Sequence, residues 1–227
     1  NNESLKNIPF SDLNLFDYYY KPSNNKPSVI SNDNENYKIT IVNGIVKKFK
    51  DDKIEVRNIT DSDYNKILEQ YENNLDDLVI DFNKIFLNSG MFIDIKANAK
   101  ISLKLIHETD QNHTIFQNNF LNFQKNCKVQ LVDEFNLSHN TINNINYNIS
   151  VNEGADIQHN FFQNFSNSNK LYLTSNTVCE KKSSFSQNTY NFANGFVRNF
   201  HFTKLNGEYS KASLKGFFLL KDENICS

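Results

Sequence analysis

The chain has no tryptophan, one methionine, three cysteines, three prolines, six glycines and only two arginines. Each shortage removes a class of explanation. Cys127, Cys179 and Cys226 form no C-x-x-C pair, so they build neither a disulfide framework nor a zinc site. They fit a reducing compartment. With 24 basic against 26 acidic residues the net charge is −2. That balance is wrong for a chain dedicated to neutralising phosphates, so neither nucleic acid nor an anionic membrane surface is expected as a partner. No run of about 18 apolar residues is present, which excludes a transmembrane helix. No P-loop, G-x-S-x-G or G-x-G-x-x-G occurs, so there is no ATPase, serine-hydrolase or dinucleotide signature. The first residue is not Met, which leaves open both a removed leader and a trimmed piece.

Asparagine (40), lysine (22) and phenylalanine (20) are abundant among the 227 residues. AT-rich coding produces this mixture. N-x-S/T sequons such as those at Asn58 and Asn136 occur about as often as chance gives, and do not argue for glycosylation. The length suffices for one large or two small domains with a real core.

Residues 1–36 are polar, with Pro22 and Pro27 enclosing Ser and Asn, and read as an irregular lead-in. Within it the aromatic cluster Phe16 to Tyr20 is expected to dock on the core. Tyr37 to Val42 is β-rich and Asn43-Gly44 is a two-residue turn signal, so a hairpin returning from Ile45 is expected. Residues 61–88 read as helix, with Leu78, Phe82, Ile85 and Phe86 on one apolar stripe and Asn88-Ser89-Gly90 as the stop. Residues 1–90 therefore make a short α/β lead-in.

After Gly90 the pattern turns to β and repeats. Ala99-x-Ile101-x-Leu103 returns as Cys127-x-Val129-x-Leu131, Ala155-x-Ile157-x-His159 and Ser183-x-Phe185-x-Gln187, each 28 residues on. Ala212-x-Leu214-x-Gly216 follows after 29. Leu121 and Phe123, Ile149 and Val151, and Thr177 and Cys179 keep the same parity ahead of the repeats. A β-patterned repeat of this length predicts a solenoid over 91–227, with about four or five coils that share one core. The rival is a β-sandwich, whose strands recur every 8–12 residues with irregular spacing. With so few glycines, Asn is expected at left-handed corners and in hydrogen-bonded ladders along the coil edges.

Candidate chemistry is thin. His107, His113, His139, His159 and His201 show no H-x-x-x-H spacing. His159 and His201 read as hydrogen-bonded core or strand-end residues. Cys127 and Cys179 fall on the inward face, where a thiol behaves as a small hydrophobe; the functional alternative is a thiol holding sulfur or a soft metal. Asp133 and Glu134 read as strand-end carboxylates with no second acidic pair for glycoside hydrolysis. A lyase would want clustered carboxylates and a basic residue, for which Arg57 and Arg198 are poor material. No residue is assigned a catalytic, cofactor-binding or metal-binding role.

Three stretches, Asn194-Gly195-Phe196-Val197-Arg198-Asn199, Leu205-Asn206-Gly207-Glu208 and Leu214-Lys215-Gly216, resemble the signature of the SufB/SufD family. Val42-Asn43-Gly44 looks like that family's early hairpin. Leu78 to Gly90 looks like its helix, and Met91 to Ile95 like its first solenoid strand. Residues 2–13 look like a degenerate form of its N-terminal segment. The lead-in and hairpin look more like SufD than SufB. The resemblance implies a right-handed parallel β-helix and a non-catalytic scaffold subunit of a SufB–SufC–SufD complex for iron–sulfur cluster assembly. It implies a SufB-like β-helical partner and a SufC-like ABC ATPase. The cluster would be held transiently in the whole complex, with nothing bound firmly by this chain. The location implied is the cytoplasm, or the plastid stroma in a eukaryote. Members carry a C-terminal helical domain with a Cys-x-His strand, and Cys226-Ser227 does not match it. The chain is thus expected to be a trimmed core fragment. The alternatives are a secreted β-helix that binds or cleaves polysaccharide, and a solenoid adhesin.

Overall fold

Ten residues of strand and four of corner make half a coil, and two halves return the chain to the same sheet, as when Lys100 pairs with Lys128. The computed structural model describes residues 26–32, 35–60, 63, 78–166 and 168–219. Its elements in chain order are β1 (Ser28–Asn32), β2 (Asn36–Val42), β3 (Phe49–Lys50), β4 (Ile54–Asn58), α1 (Leu78–Ile85), β5 (Met91–Ile95), β6 (Lys100–Thr109), β7 (Thr114–Phe123), β8 (Lys128–Leu137), β9 (Ile142–Val151), β10 (Asp156–Gln163), β11 (Lys170–Cys179), β12 (Ser184–Asn191), β13 (Phe196–Leu205) and β14 (Lys211–Phe218). Sheet one runs β1-β2-β6-β8-β10-β12-β14, and sheet two runs β13-β11-β9-β7-β5-β4-β3. From β5 onward successive strands alternate between sheets and pair in parallel. The chain is a parallel β-solenoid of about four turns. Among the described residues no helix is long and apolar enough to cross a membrane.

The repeats stack in register. Ile101, Val129, Ile157 and Phe185 form one inward column, and Leu103, Leu131, His159 and Gln187 the next. Opposite them stand Leu121, Ile149 and Thr177, and then Phe123, Val151 and Cys179. All are buried. Each large apolar side chain fully buried this way contributes about 1.5–3 kcal/mol. The last copy departs from its expected spacing. Phe185 pairs with Ala212 and Gln187 with Leu214, a step of 27. The earlier alignment of Ala212 with Ser183 is thus two residues out of phase, although the parity holds. The step shortens because the corner after β12, residues 192–195, is two residues shorter than 164–169 in the coil before it, while the corner 206–210 is one residue longer than 180–183.

Corners explain the small residue that opens each repeat. Asn98, Asn126, Gly154, Lys182 and Tyr209 all have positive φ, between 57° and 70°. Each precedes the last corner residue, whose amide closes a turn, as Cys127 N–H does onto the Gln124 carbonyl at 3.3 Å. The coils also bond corner to corner: Asn98 N–H donates to the Lys125 carbonyl at 2.9 Å and Asn126 N–H to the Glu153 carbonyl at 3.0 Å. Asn ladders run beside them, with Asn152 Nδ2 donating to Asn122 Oδ1 at 2.8 Å and Asn188 Nδ2 to Asn160 Oδ1 at 2.9 Å. Asn supplies most of the left-handed positions because its amide tolerates positive φ. Asn126→Ala should lower the urea midpoint by the equivalent of about 1 kcal/mol, whereas Asn126→Gly should leave it nearly unchanged.

The N-terminal half corrects two readings. Ser28–Asn32 is a strand within the stretch read as irregular, and it pairs antiparallel with β2. Asn43 and Gly44 do turn the chain, at φ 49° and 80°, with Val42 and Ile45 bonded across them. No strand then returns beside β2; the chain crosses to sheet two, where β3, β4 and β5 pair antiparallel. Phe16 to Tyr20 and residues 2–13 lie outside the described residues, as does most of the expected helix before Leu78.

The described helix also docks on a different face from the one expected. Ile85 is 71% and Phe86 44% exposed, while Val79, Ile80 and Asn83 are buried. Asn83 is the clamp. Its Nδ2 donates to the carbonyls of Gln117 (3.1 Å) and Asn144 (2.7 Å), and Asn144 Nδ2 donates to the Val79 carbonyl at 2.8 Å. A buried amide meets backbone groups that would otherwise be stranded under the helix, and apolar periodicity does not reveal such a contact.

Candidate functional site

The interior begins apolar and becomes polar along the solenoid. In the inward columns of sheet one, Leu105 is followed by Asp133, Phe161 and Thr189, and Leu131 by His159 and Gln187. In sheet two Asn119 is followed by Tyr147, Ser175 and His201. The polar residues among them form two hydrogen-bonded groups in the lumen.

Asp133 is its hub, and it corrects the strand-end reading. It lies mid-way along β8, fully buried and inward. His107 Nε2 meets Asp133 Oδ1 at 2.7 Å and His159 Nε2 meets Oδ2 at 2.5 Å. Tyr147 Oη donates to Asp133 Oδ1 at 2.9 Å and lies 3.0 Å from His107 Nε2. Four strands of both sheets thus converge on one carboxyl. Burial raises that carboxyl, but the hydrogen bonds from His107 and His159 outweigh it and hold it at about 2. Burial, and then the Asp133 charge, push the Tyr147 phenol well above its usual range. Phe135 stacks on His107 with ring centres 4.7 Å apart, and Phe161 lies 4.1 Å from His159. The rings wall the centre with apolar surface.

A second polar group follows one coil on. Ser175 Oγ bonds His201 Nδ1 at 2.8 Å and donates to Gln187 Oε1 at 3.2 Å. Gln163 and Asn199 exchange amide bonds at 2.7 and 3.1 Å. Burial, and then the neighbouring His159, lower His201 to about 4 from 6.5. The unfolded chain therefore protonates this ring first on acidification, and its contribution is full above pH 6.5 and is lost as pH falls through 4. His201→Gln should flatten the loss of stability between those limits, read from denaturant midpoints across pH.

The other residues singled out in the sequence lie apart from this centre. Cys127 and Cys179 are fully buried free thiols at the inward corners. Burial pushes Cys127 up to about 12 and Cys179 up to about 11, so neither is a thiolate at neutral pH. Cys226 lies outside the described residues. Glu134 pairs with Lys104 at 2.6 Å on the outer face. His113 bonds the Gln111 carbonyl at 3.1 Å, and His139 lies 3.4 Å from Ser166 Oγ. Arg57 is held by Asp63 and Arg198 sits over Phe200. Outside, a concavity of about 430 Å³ is lined by Glu35, Lys100, Lys128, Gln130, Asp156 and Gln158. Its charges are mixed and do not converge. Among the described residues no group of three or more His, Cys, Asp or Glu is placed to hold a metal ion.

Sequence reasoning missed Asp133, His107 and Tyr147 as partners. The signal was available: Asp133 is six residues after Cys127 and so shares its inward parity, 28 after Leu105. Adding the opposite sheet would have brought in Tyr147.

The motif glycines have a packing reason. A Cβ at Gly195 would lie 2.4 Å from the Asn169 carbonyl oxygen, and one at Gly207 2.1 Å from the Lys181 amide nitrogen. Both sit where a corner presses on the backbone of the coil before it. No curated protein matches the chain. The family model described as SUF system FeS cluster assembly, SufBD core domain, matches residues 105–227, more than half of the sequence and all of the polar lumen. The chain belongs to the SufBD core domain family of the iron–sulfur cluster assembly system.

Proposed function

We propose that the chain is the solenoid core of a SufD-like scaffold subunit, which supports iron–sulfur cluster assembly without catalysing a step itself. The observation that carries this reading is the state of the two thiols among the described residues. Sulfur chemistry needs an accessible thiolate, and Cys127 and Cys179 are sealed in the core with their pKa values raised. What the chain offers instead is a rigid stack with an unpaired rung: among the described residues nothing pairs with the outer edges of β13 and β14. Such an edge suits attachment to further protein. The partners in this reading are a SufB-like β-helical subunit and a SufC-like ABC ATPase. The cluster is the cargo of the complex, and the compartment is the cytoplasm or a plastid stroma.

Co-purification of the full-length parent protein from its native source tests this. Recovery of an ABC-type ATPase and a second β-helical subunit is expected. Recovery of the protein alone, especially from a secreted fraction, would overturn the assembly role and leave the solenoid standing.

A further inference from the structure

Asp133 is 0% exposed, and the ion pairs it makes among the described residues are with His107 and His159. A buried charge without a counter-charge costs several kcal/mol, about as much as many domains can lose. The lumen must therefore balance this carboxylate from the groups that face it. From β6 that is His107, from β10 His159 and from β9 the Tyr147 hydroxyl. His201 on β13 lies beyond Phe161, whose ring stacks on it at 6.0 Å. Asn119 on β7, Ser175 on β11 and Gln187 on β12 are uncharged.

The geometry decides among the possible proton arrangements. Both imidazoles turn Nε2 toward the carboxylate, and only an N–H is stable facing an anion. Tyr147 adds an O–H. The carboxyl thus faces three donors, which suits its ionised form; a protonated carboxyl would have to turn one of those contacts around. Two charged rings would leave the apolar lumen with a net positive charge. His159 Nδ1 is buried with no hydrogen-bond partner, a poor place for a permanent N–H.

We propose that the lumen holds one resident proton. Asp133 is a carboxylate, one charge-balancing proton is held between His107 and His159, the other ring is a neutral Nε2–H donor, and Tyr147 keeps its hydroxyl proton. The centre is electroneutral. It ties three consecutive rungs of sheet one, β6, β8 and β10, to β9 across the lumen, so the stacking of the middle coils is coupled to a proton.

The test is long-range proton–nitrogen NMR of the 227-residue chain with nitrogen-15 in its five histidines, recorded at about pH 7.5, where an exposed imidazole is largely neutral. One ring with both nitrogens protonated is expected. Asp133→Asn should abolish that signature and leave the other rings unchanged. His107→Gln and His159→Gln each keep an N–H donor, so in each the signature should reside on the remaining ring; these variants decide the matter if Asp133→Asn does not fold. All rings neutral in the wild type, two rings charged at the centre, or a signature that survives Asp133→Asn would each overturn the proposal.

Discussion

Asp133→Ala is expected to lower the unfolding free energy by about 3–5 kcal/mol, measured by urea or guanidinium denaturation. The substitution removes the acceptor shared by two imidazole N–H groups and a phenol inside the lumen. It also removes the carboxylate that ties β6, β8, β10 and β9 together. The loss should not be read as the worth of the network, because a matched apolar filling is often as stable. Coil one shows what that filling looks like, with Leu103 in the column of His159 and Leu105 in the column of Asp133. Replacing Asp133, His107 and His159 together by leucine should therefore cost much less than the single substitution. A triple variant as unstable as Asp133→Ala would show that shape, not charge, governs the site. Acid acts in the same direction. The carboxyl sits at about 2 in the fold against an ordinary 3.8, so its contribution is intact above pH 3.8 and is lost as pH falls toward 2.

The second large effect is on mass. Produced on its own, the 227-residue chain should self-associate through its last coil. Leu205, Leu214, Phe217 and Phe218 are 45–53% exposed, and among the described residues nothing pairs with the outer edge of β14 beside them. Apolar surface next to an unpaired edge is the arrangement that folded proteins usually cover, twist away or charge. Leu214 and Phe218 stand on the inward columns of Gln187 and Asn191, at the mouth of the lumen. The double substitution Leu214→Lys, Phe218→Lys should convert the associated species to monomer in sedimentation velocity without loss of the coils below. A wild-type chain that stays strictly monomeric at high concentration would contradict this.

Much of the architecture is legible in the sequence because stacking enforces repetition. A column such as Ile101, Val129, Ile157 and Phe185 has to keep both its period and its face, and that redundancy survives a compositional bias toward Asn, Lys and Phe. Where the structure stops repeating, the reading fails. The corners at 192–195 and 206–210 differ in length from their predecessors, so the last step is 27 residues where the sequence reading took 29. Helix α1 occurs once, and its apolar residues Ile85 and Phe86 point outward while a polar residue, Asn83, makes the contact. Asp133 was hidden for a related reason. A charged residue between Val132 and Glu134 looks like a strand end until the parity of its coil is carried past it. The thiols were legible because inward parity implies burial, and burial alone sets their chemistry.

The antiparallel strands at one end give the stack a direction. At one end each sheet carries a strand that runs against the rest, β1 on β2 and β4 on β5, whereas at the opposite end the last described strands, β13 and β14, are parallel to their neighbours. A coil laid on the antiparallel end finds a template already in place, and the coils after it pair with the neighbour 28 residues back. Such a chain can form by zippering from a nucleus, in the order in which a ribosome delivers it, without waiting for distant segments. Each rung laid down in this way becomes the template for the next.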